Sequence, residues 1–300
     1  MDGPVWHMAD TDPAFDVEFV SRRIDPDPLR RPAVPTEVWN FHNYPSWKAD
    51  VWSLVETFAD QAVIDAFLAD PPEFVVSDDM SWLEDKIRKV HGLSIDVFDL
   101  MVDGLQRRYR KLRAAHGTRT ANVGSFYREG VHPLQPLNVQ RQARDRFLSS
   151  GYPELTPAHL DRAIAAVSHD TRADRVWFEC NETELVRRNG HYMLYGSEYL
   201  LAIVAHIEGL RDYRPDLKRV GEPVVFLCDV PISYLHPGSF RSFAGRAVEI
   251  LFEEVLGETG GPSPTRGGAF SIRQTLAPNE IVGHYRPSVG RDALAGAGWP

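Results

Sequence analysis

The sequence predicts an α+β fold, and three observations carry that expectation. Residues 1–118 show apolar residues at helical spacing, broken by prolines and glycines. Residues 119–300 mix short strand-like runs with further helical patterns. Within them VVFLC (Val224–Cys228) is continuously apolar, as a strand buried on both faces is. The expected division is therefore an N-terminal helical domain with a Pro-rich arm, 1–118, and a mixed β-sheet domain, 119–300.

Elements follow in chain order. Pro13, Pro26, Pro28, Pro32, Pro35 and Pro45 forbid a long helix or central strand, so residues 1–45 read as an irregular arm. The aromatic run Trp39–Trp47 is expected to dock on the chain's own core. Trp47, Val51, Leu54, Val55, Phe58 and Ala62 predict a helix from Ser46 to Asp70, ended by Pro71 and Pro72. A second helix is expected over Asp79–His91 with Gly92 as its stop. A third, capped by Ser94, carries Phe98, Met101, Leu105 and Leu112 and ends in Arg107, Arg108, Arg110, Lys111 and Arg113.

Beyond Gly117, Ala121–Arg128 reads as a strand, and Asn138–Leu148 as a helix. Thr156 followed by Pro157 marks another helix start, because Thr caps and Pro suits the first position. Val176–Phe178 is expected to be a short strand. GHYMLYGSEYL (Gly190–Leu200) reads as a strand, His191–Tyr195, meeting a helix that Ser197 caps. A helix through Phe240 and Leu251 closes at Gly257, and a Gly/Pro-rich loop, Glu258–Gly268, follows. Phe270, Ile272, Gln274 and Leu276 alternate as a half-buried strand, and Ile281–Tyr285 is the last strand.

Composition narrows the function classes. The net charge of −9 argues against general coating of nucleic acid, while the cationic stretch Arg107–Arg113 leaves a local contact open. Cys180 and Cys228 lie in or beside apolar runs and are expected as buried reduced thiols. No CxxC, HExxH or paired-His spacing occurs among the 11 histidines, so no metal is expected. With no run of 18 apolar residues, a soluble, cytoplasmic protein without a membrane partner is the expectation. Ser168, His169 and Asp170 are contiguous and so cannot form a hydrolase triad by themselves, and Glu182 and Glu184 read as solvated in a polar turn.

Arg128 in FYREGV, the corner GHYMLYGSEYL, and the late unit SIRQTLAPNEIVGHY follow one another in a telling order. Together with VVFLCDVP they resemble the ADP-ribosyltransferase superfamily, in particular poly(ADP-ribose) polymerases at the corner and DarT-type toxins at the late strands. The resemblance covers roughly residues 119–288. It implies a split mixed sheet and NAD as substrate, with an Arg or His on the first strand contacting NAD. A middle strand then runs into a helix bearing Tyr or Ser, and a late strand carries a catalytic Glu. Carried over, Arg128 would hold a phosphate or ribose, Tyr192 and Tyr199 would flank the nicotinamide, and Tyr195 and Ser197 would complete the NAD site.

The chain departs from the pattern at the glutamate: that position falls at Ala269, and the nearest carboxylate on its C-terminal side is Glu280. Two explanations stay open. Either the chain is a non-catalytic relative using Glu280 or nothing, or Ala269 stands for a glutamate removed from a toxic protein.

The implied activity is NAD-dependent transfer of ADP-ribose to a nucleic acid or a protein, as in a bacterial toxin or defence factor. The acceptor would be met by the basic stretch, and an inhibitor protein is a further candidate partner. The alternatives are a binding protein with a vestigial NAD-like pocket and an RNA phosphate-transfer enzyme on a related fold.

Overall fold

The computed structural model describes residues 22–149, 151–168, 173–257, 268–287, 291–292 and 297–298. It is a mixture of helices and mainly antiparallel sheet, an α+β fold. The expected loop Glu258–Gly268 lies outside the described residues except for Gly268, as do His169 and Asp170.

The helical half begins after a two-residue strand, β1 (Val38–Trp39), with α1 (Tyr44–Val55), α2 (Gln61–Ala69), α3 (Ser81–His91) and α4 (Val97–Arg108). The single helix expected over 46–70 is two, because Asp60 caps a new start: its Oδ1 accepts the Val63 N–H at 3.2 Å. Gly92 closes α3 in the left-handed conformation, φ 71°. Asp96, not Ser94, caps α4, its side chain accepting the Asp99 N–H at 2.9 Å. The aromatic run docks as expected: Trp39, Phe41 and Trp47 are buried, with Trp39 stacked on Tyr109 and Phe41 on Trp47.

Two expected strands are helices, and one expected helix end is a strand. The third helix stops at Arg108, and Lys111–Thr120 forms β2. Its first half, KLRAAH, favours helix locally, but pairing along the whole of β2 with β4 (Glu222–Pro231) overrides that preference. Ala121–Arg128 is not a strand. Asn122 accepts the Ser125 N–H at 3.1 Å and starts α5 (Val123–Glu129), which Gly130 ends at φ 88°. His191–Tyr195 is likewise helical, α9, closed by Gly196 at φ 84°.

The remaining elements are α6 (Pro136–Leu148), α7 (Pro157–Ala166), β3 (Val176–Glu179), α8 (Glu182–Arg188), α10 (Glu198–Ala205), α11 (Arg214–Leu217), α12 (Pro237–Val255), β5 (Ala269–Ile272) and β6 (Ile281–Tyr285). The sheet order is β5-β3-β2-β4-β6, with β1 parallel to the start of β2. The free side of β6 is covered by the N-terminal arm, where the Ile24 N–H donates to the His284 carbonyl at 2.9 Å and the His284 N–H to the Arg22 carbonyl at 3.1 Å.

One large core joins helices α1–α4 and α12 to a face of the sheet, through Trp39, Leu83, Leu105, Phe226, Phe243 and Phe270. The boundary expected between 118 and 119 falls inside β2, and residues from both sides of it share this core. A second cluster binds α6, α7, α10 and α11 through Phe147, Leu160, Tyr199 and Tyr213. The opposite sheet face carries Ala115, Val225 and Tyr285 against Leu185 and Met193 of α8 and α9. Cys180 and Cys228 are free and buried. Among the described residues no helix is long and apolar enough to cross a membrane, and no group of three His, Cys, Asp or Glu residues could hold a metal ion.

Candidate functional site

Between β2 and β3 the described pairing is Ala115 with Glu179 alone. Past it β2 runs on beside β4, and β3 beside β5, so the two strands fork. A cleft of about 630 Å³ opens at that fork. Its walls are Gly117 and Thr118 of β2, Ser125, Phe126 and Glu129 of α5, Trp177 and Glu179 of β3, and the corner between α9 and α10.

His116 bridges the apex, its Nδ1 lying 2.9 Å from the Trp177 carbonyl. A carbonyl only accepts, so Nδ1 donates, and the neutral ring keeps Nε2 as an acceptor. Burial lowers the pKa of this imidazole, against a smaller opposite pull from the Trp177 carbonyl. Glu179 is shifted the other way. Burial raises its pKa first of all, and nearby Glu184 adds to the rise, while N–H groups of Asn181 and Cys180 oppose it. Arg175 supplies a guanidinium to the lining, its Nη1 reaching Ser271 Oγ at 3.4 Å. Trp177 lies on the rim with 46% of its surface exposed, which leaves a ring face for stacking.

The corner keeps its expected cap although its first half is helical. Ser197 accepts the Leu200 N–H at 3.4 Å through Oγ, and Gly196 supplies the left-handed residue that lets α9 end and α10 begin at once. Tyr192 and Ser197 line the cleft. So does the buried Tyr199, whose hydroxyl accepts from Gln140 Nε2 at 2.8 Å. The Tyr192 hydroxyl stands 3.5 Å from the Glu198 carboxylate. Ala269 opens β5, is exposed, and lines the same cleft.

Three candidates fall elsewhere. Arg128 sits on the exposed side of α5, because the segment is a helix and its turn aims Ser125, Phe126 and Glu129 at the cleft instead. Tyr195 is buried outside the lining, with the Lys218 ammonium 5.0 Å from its ring centre. Glu280 occupies the turn before β6 and pairs with Lys111 at 2.5 Å, outside the lining.

The basic stretch is also dispersed by the end of the helix at Arg108. Arg108 pairs with Asp50 at 2.6 Å, Lys111 with Glu280, and Arg113 is buried against Asp229. Arg107 and Arg110 stay exposed. Glu182 and Glu184 are only partly exposed, and each is ion-paired. They start α8, with Glu182 paired to Arg31 at 2.6 Å and Glu184 to Arg188 at 2.6 Å.

No motif in the sequence marks His116, Arg175, Trp177 or Glu179 as cleft residues. His116 lies in a segment that reads locally as helix, and Glu179 sits one residue past the apolar run Val176–Phe178 that marks β3. The alternation that sets Trp177 and Glu179 on one face of β3 was the available signal. No family model, curated protein or solved structure matches this chain.

Proposed function

We propose that the cleft binds NAD and that the chain transfers ADP-ribose from it to a macromolecular acceptor. The observation that carries this reading is convergence: the corner residues Tyr192, Ser197 and Tyr199 line one cleft with Ala269 of the late strand, about seventy positions away in sequence. Its volume of about 630 Å³ suits a cofactor-sized molecule.

The resemblance to ADP-ribosyltransferases asks for an Arg or His on the first strand and a split sheet. β2 is the first long strand, it forks from β3, and its cleft-lining residue of that kind is His116, which takes the place expected of Arg128. In this reading Arg175 meets the diphosphate, charge to charge. Tyr192 and Trp177 offer ring faces to the nicotinamide, and cleavage of the nicotinamide–ribose bond puts positive charge on the ribose beside the acidic side of the cleft. The acceptor, nucleic acid or protein, would approach past Trp177 at the rim.

Titration calorimetry with NAD and with ADP-ribose tests this. Binding of either is expected, weakened about tenfold by Trp177→Ala or Tyr192→Ala, as loss of one stacking face implies. No binding of either ligand would sink the proposal. A second reading is favoured by the alanine at position 269. In it the chain is a non-catalytic binding protein, and NAD would bind without any release of nicotinamide.

A further inference from the structure

We propose that Glu179 supplies the carboxylate of the transfer step, in place of a residue at position 269. The inference rests on the NAD reading of the cleft and deepens it. In the β3–β5 ladder Glu179 is the direct partner of Ala269. Residues directly opposite on antiparallel strands share a face with their Cβ atoms about 5 Å apart. A carboxylate on 179 therefore reaches the space that one on 269 would occupy, and both residues line the cleft.

Gly268 makes the arrangement specific. A Cβ there would overlap Glu179 Oε1 and crowd Cys180, while the Gly268 backbone lies outside the left-handed region. Glycine at 268 thus leaves room that the Glu179 carboxylate occupies, and a side chain there would push that flexible end aside. The Cys180 N–H donates to the Gly268 carbonyl at 3.0 Å, which holds the two strands at that spacing. The Asn181 N–H, 3.3 Å from Oε1, fixes the carboxylate itself.

The other acids of the lining are placed differently. Glu129 is exposed on α5, and Glu198 stands near the Tyr192 hydroxyl. Burial raises the Glu179 pKa, the direction that makes a carboxylate a better proton acceptor.

In the step, the bond from the anomeric carbon of the ribose to the nicotinamide nitrogen breaks. Its electron pair goes to that nitrogen and discharges the pyridinium. A lone pair of the acceptor's oxygen or nitrogen forms the new bond to the same carbon, and the acceptor's proton passes to the Glu179 carboxylate and then to solvent. Nothing is oxidised or reduced.

The test uses NAD with water as acceptor, reading nicotinamide release and, separately, NAD affinity by calorimetry. Glu179→Gln is expected to bind NAD within about threefold of the wild type and to release nicotinamide at least about 100-fold more slowly. Gly268→Ala, which displaces the carboxylate without removing it, is expected to slow release with affinity kept. Either variant turning over as fast as the wild type overturns the assignment. So does a wild type that binds NAD, releases no nicotinamide, and gains release on Ala269→Glu. A wild type that binds no NAD defeats the cleft reading itself, and with it this step.

Discussion

His116 sits where two strands part, with Nδ1 donating to a carbonyl and burial holding the ring neutral. Unfolding returns the imidazole to its ordinary value of 6.5, above the folded one. Its contribution to stability is therefore complete above that ordinary value and is lost as pH falls through the lower folded-state value. Urea unfolding at about pH 7.5 and about pH 5 checks this. The wild type is expected to lose more stability on acidification than His116→Gln, with carboxylates common to both cancelling in the comparison; equal losses would refute the neutral ring. Glu179 leans the opposite way, so the lining of one cleft includes an imidazole biased to its neutral form and a carboxyl whose proton is held more firmly than usual.

At the scale of elements, some caps are legible and others are not: Thr156 and Ser197 are, whereas Asp60, Asp96 and Asn122 cap where the sequence suggested otherwise. Thr156 and Pro157 start α7 as read, with Thr156 and His159 forming a reciprocal cap. Ser197 caps α10 as read. The differences have two causes: Lys111–Thr120 takes its conformation from a strand more than a hundred positions away, whereas 121–128 and 191–195 are short helices set by local signals, the Asn122 cap with the Gly130 stop and the Gly196 stop. Arg22–Ile24 on the edge of β6 is another long-range pairing. Gly283 admits it, since a Cβ there would strike Ile24 and the Arg22 carbonyl. Gly283→Val is expected to lift the arm, cost about 1–3 kcal/mol, and open the Arg22–Arg31 segment to trypsin. A variant as stable and as protease-resistant as the wild type would show that the arm does not protect this edge.

Across the whole molecule the cleft is bounded by two cores of unequal size. The main core fuses the N-terminal helices, α12 and the sheet, whereas α6, α7, α10 and α11 share a smaller cluster. A smaller core, less tied to the rest of the molecule, means a lower free energy of local opening. Amide exchange is expected to be faster in α6, α7 and α10 than in β2 and β4, and to slow in those helices when NAD fills the cleft, because the corner Tyr192–Tyr199 belongs to that side. Uniform protection across both cores, unchanged by NAD, would contradict this division.

Sequence alone determined the amphipathic helices, the buried strand around Val224–Cys228, the docking of Trp39–Trp47, the buried thiols, and an alanine opening the late strand. Each depends on a residue's own hydrophobicity or on neighbours within a turn or two. Tertiary structure alone decided that Lys111–Thr120 is a strand, that it forks from β3 after Ala115, and that His116, Glu179 and Ala269 line one cleft. Local preferences amount to a few tenths of a kcal/mol per residue, and a complete ladder to an apolar partner exceeds them. That ladder joins residues more than a hundred positions apart, a distance across which no local pattern carries information.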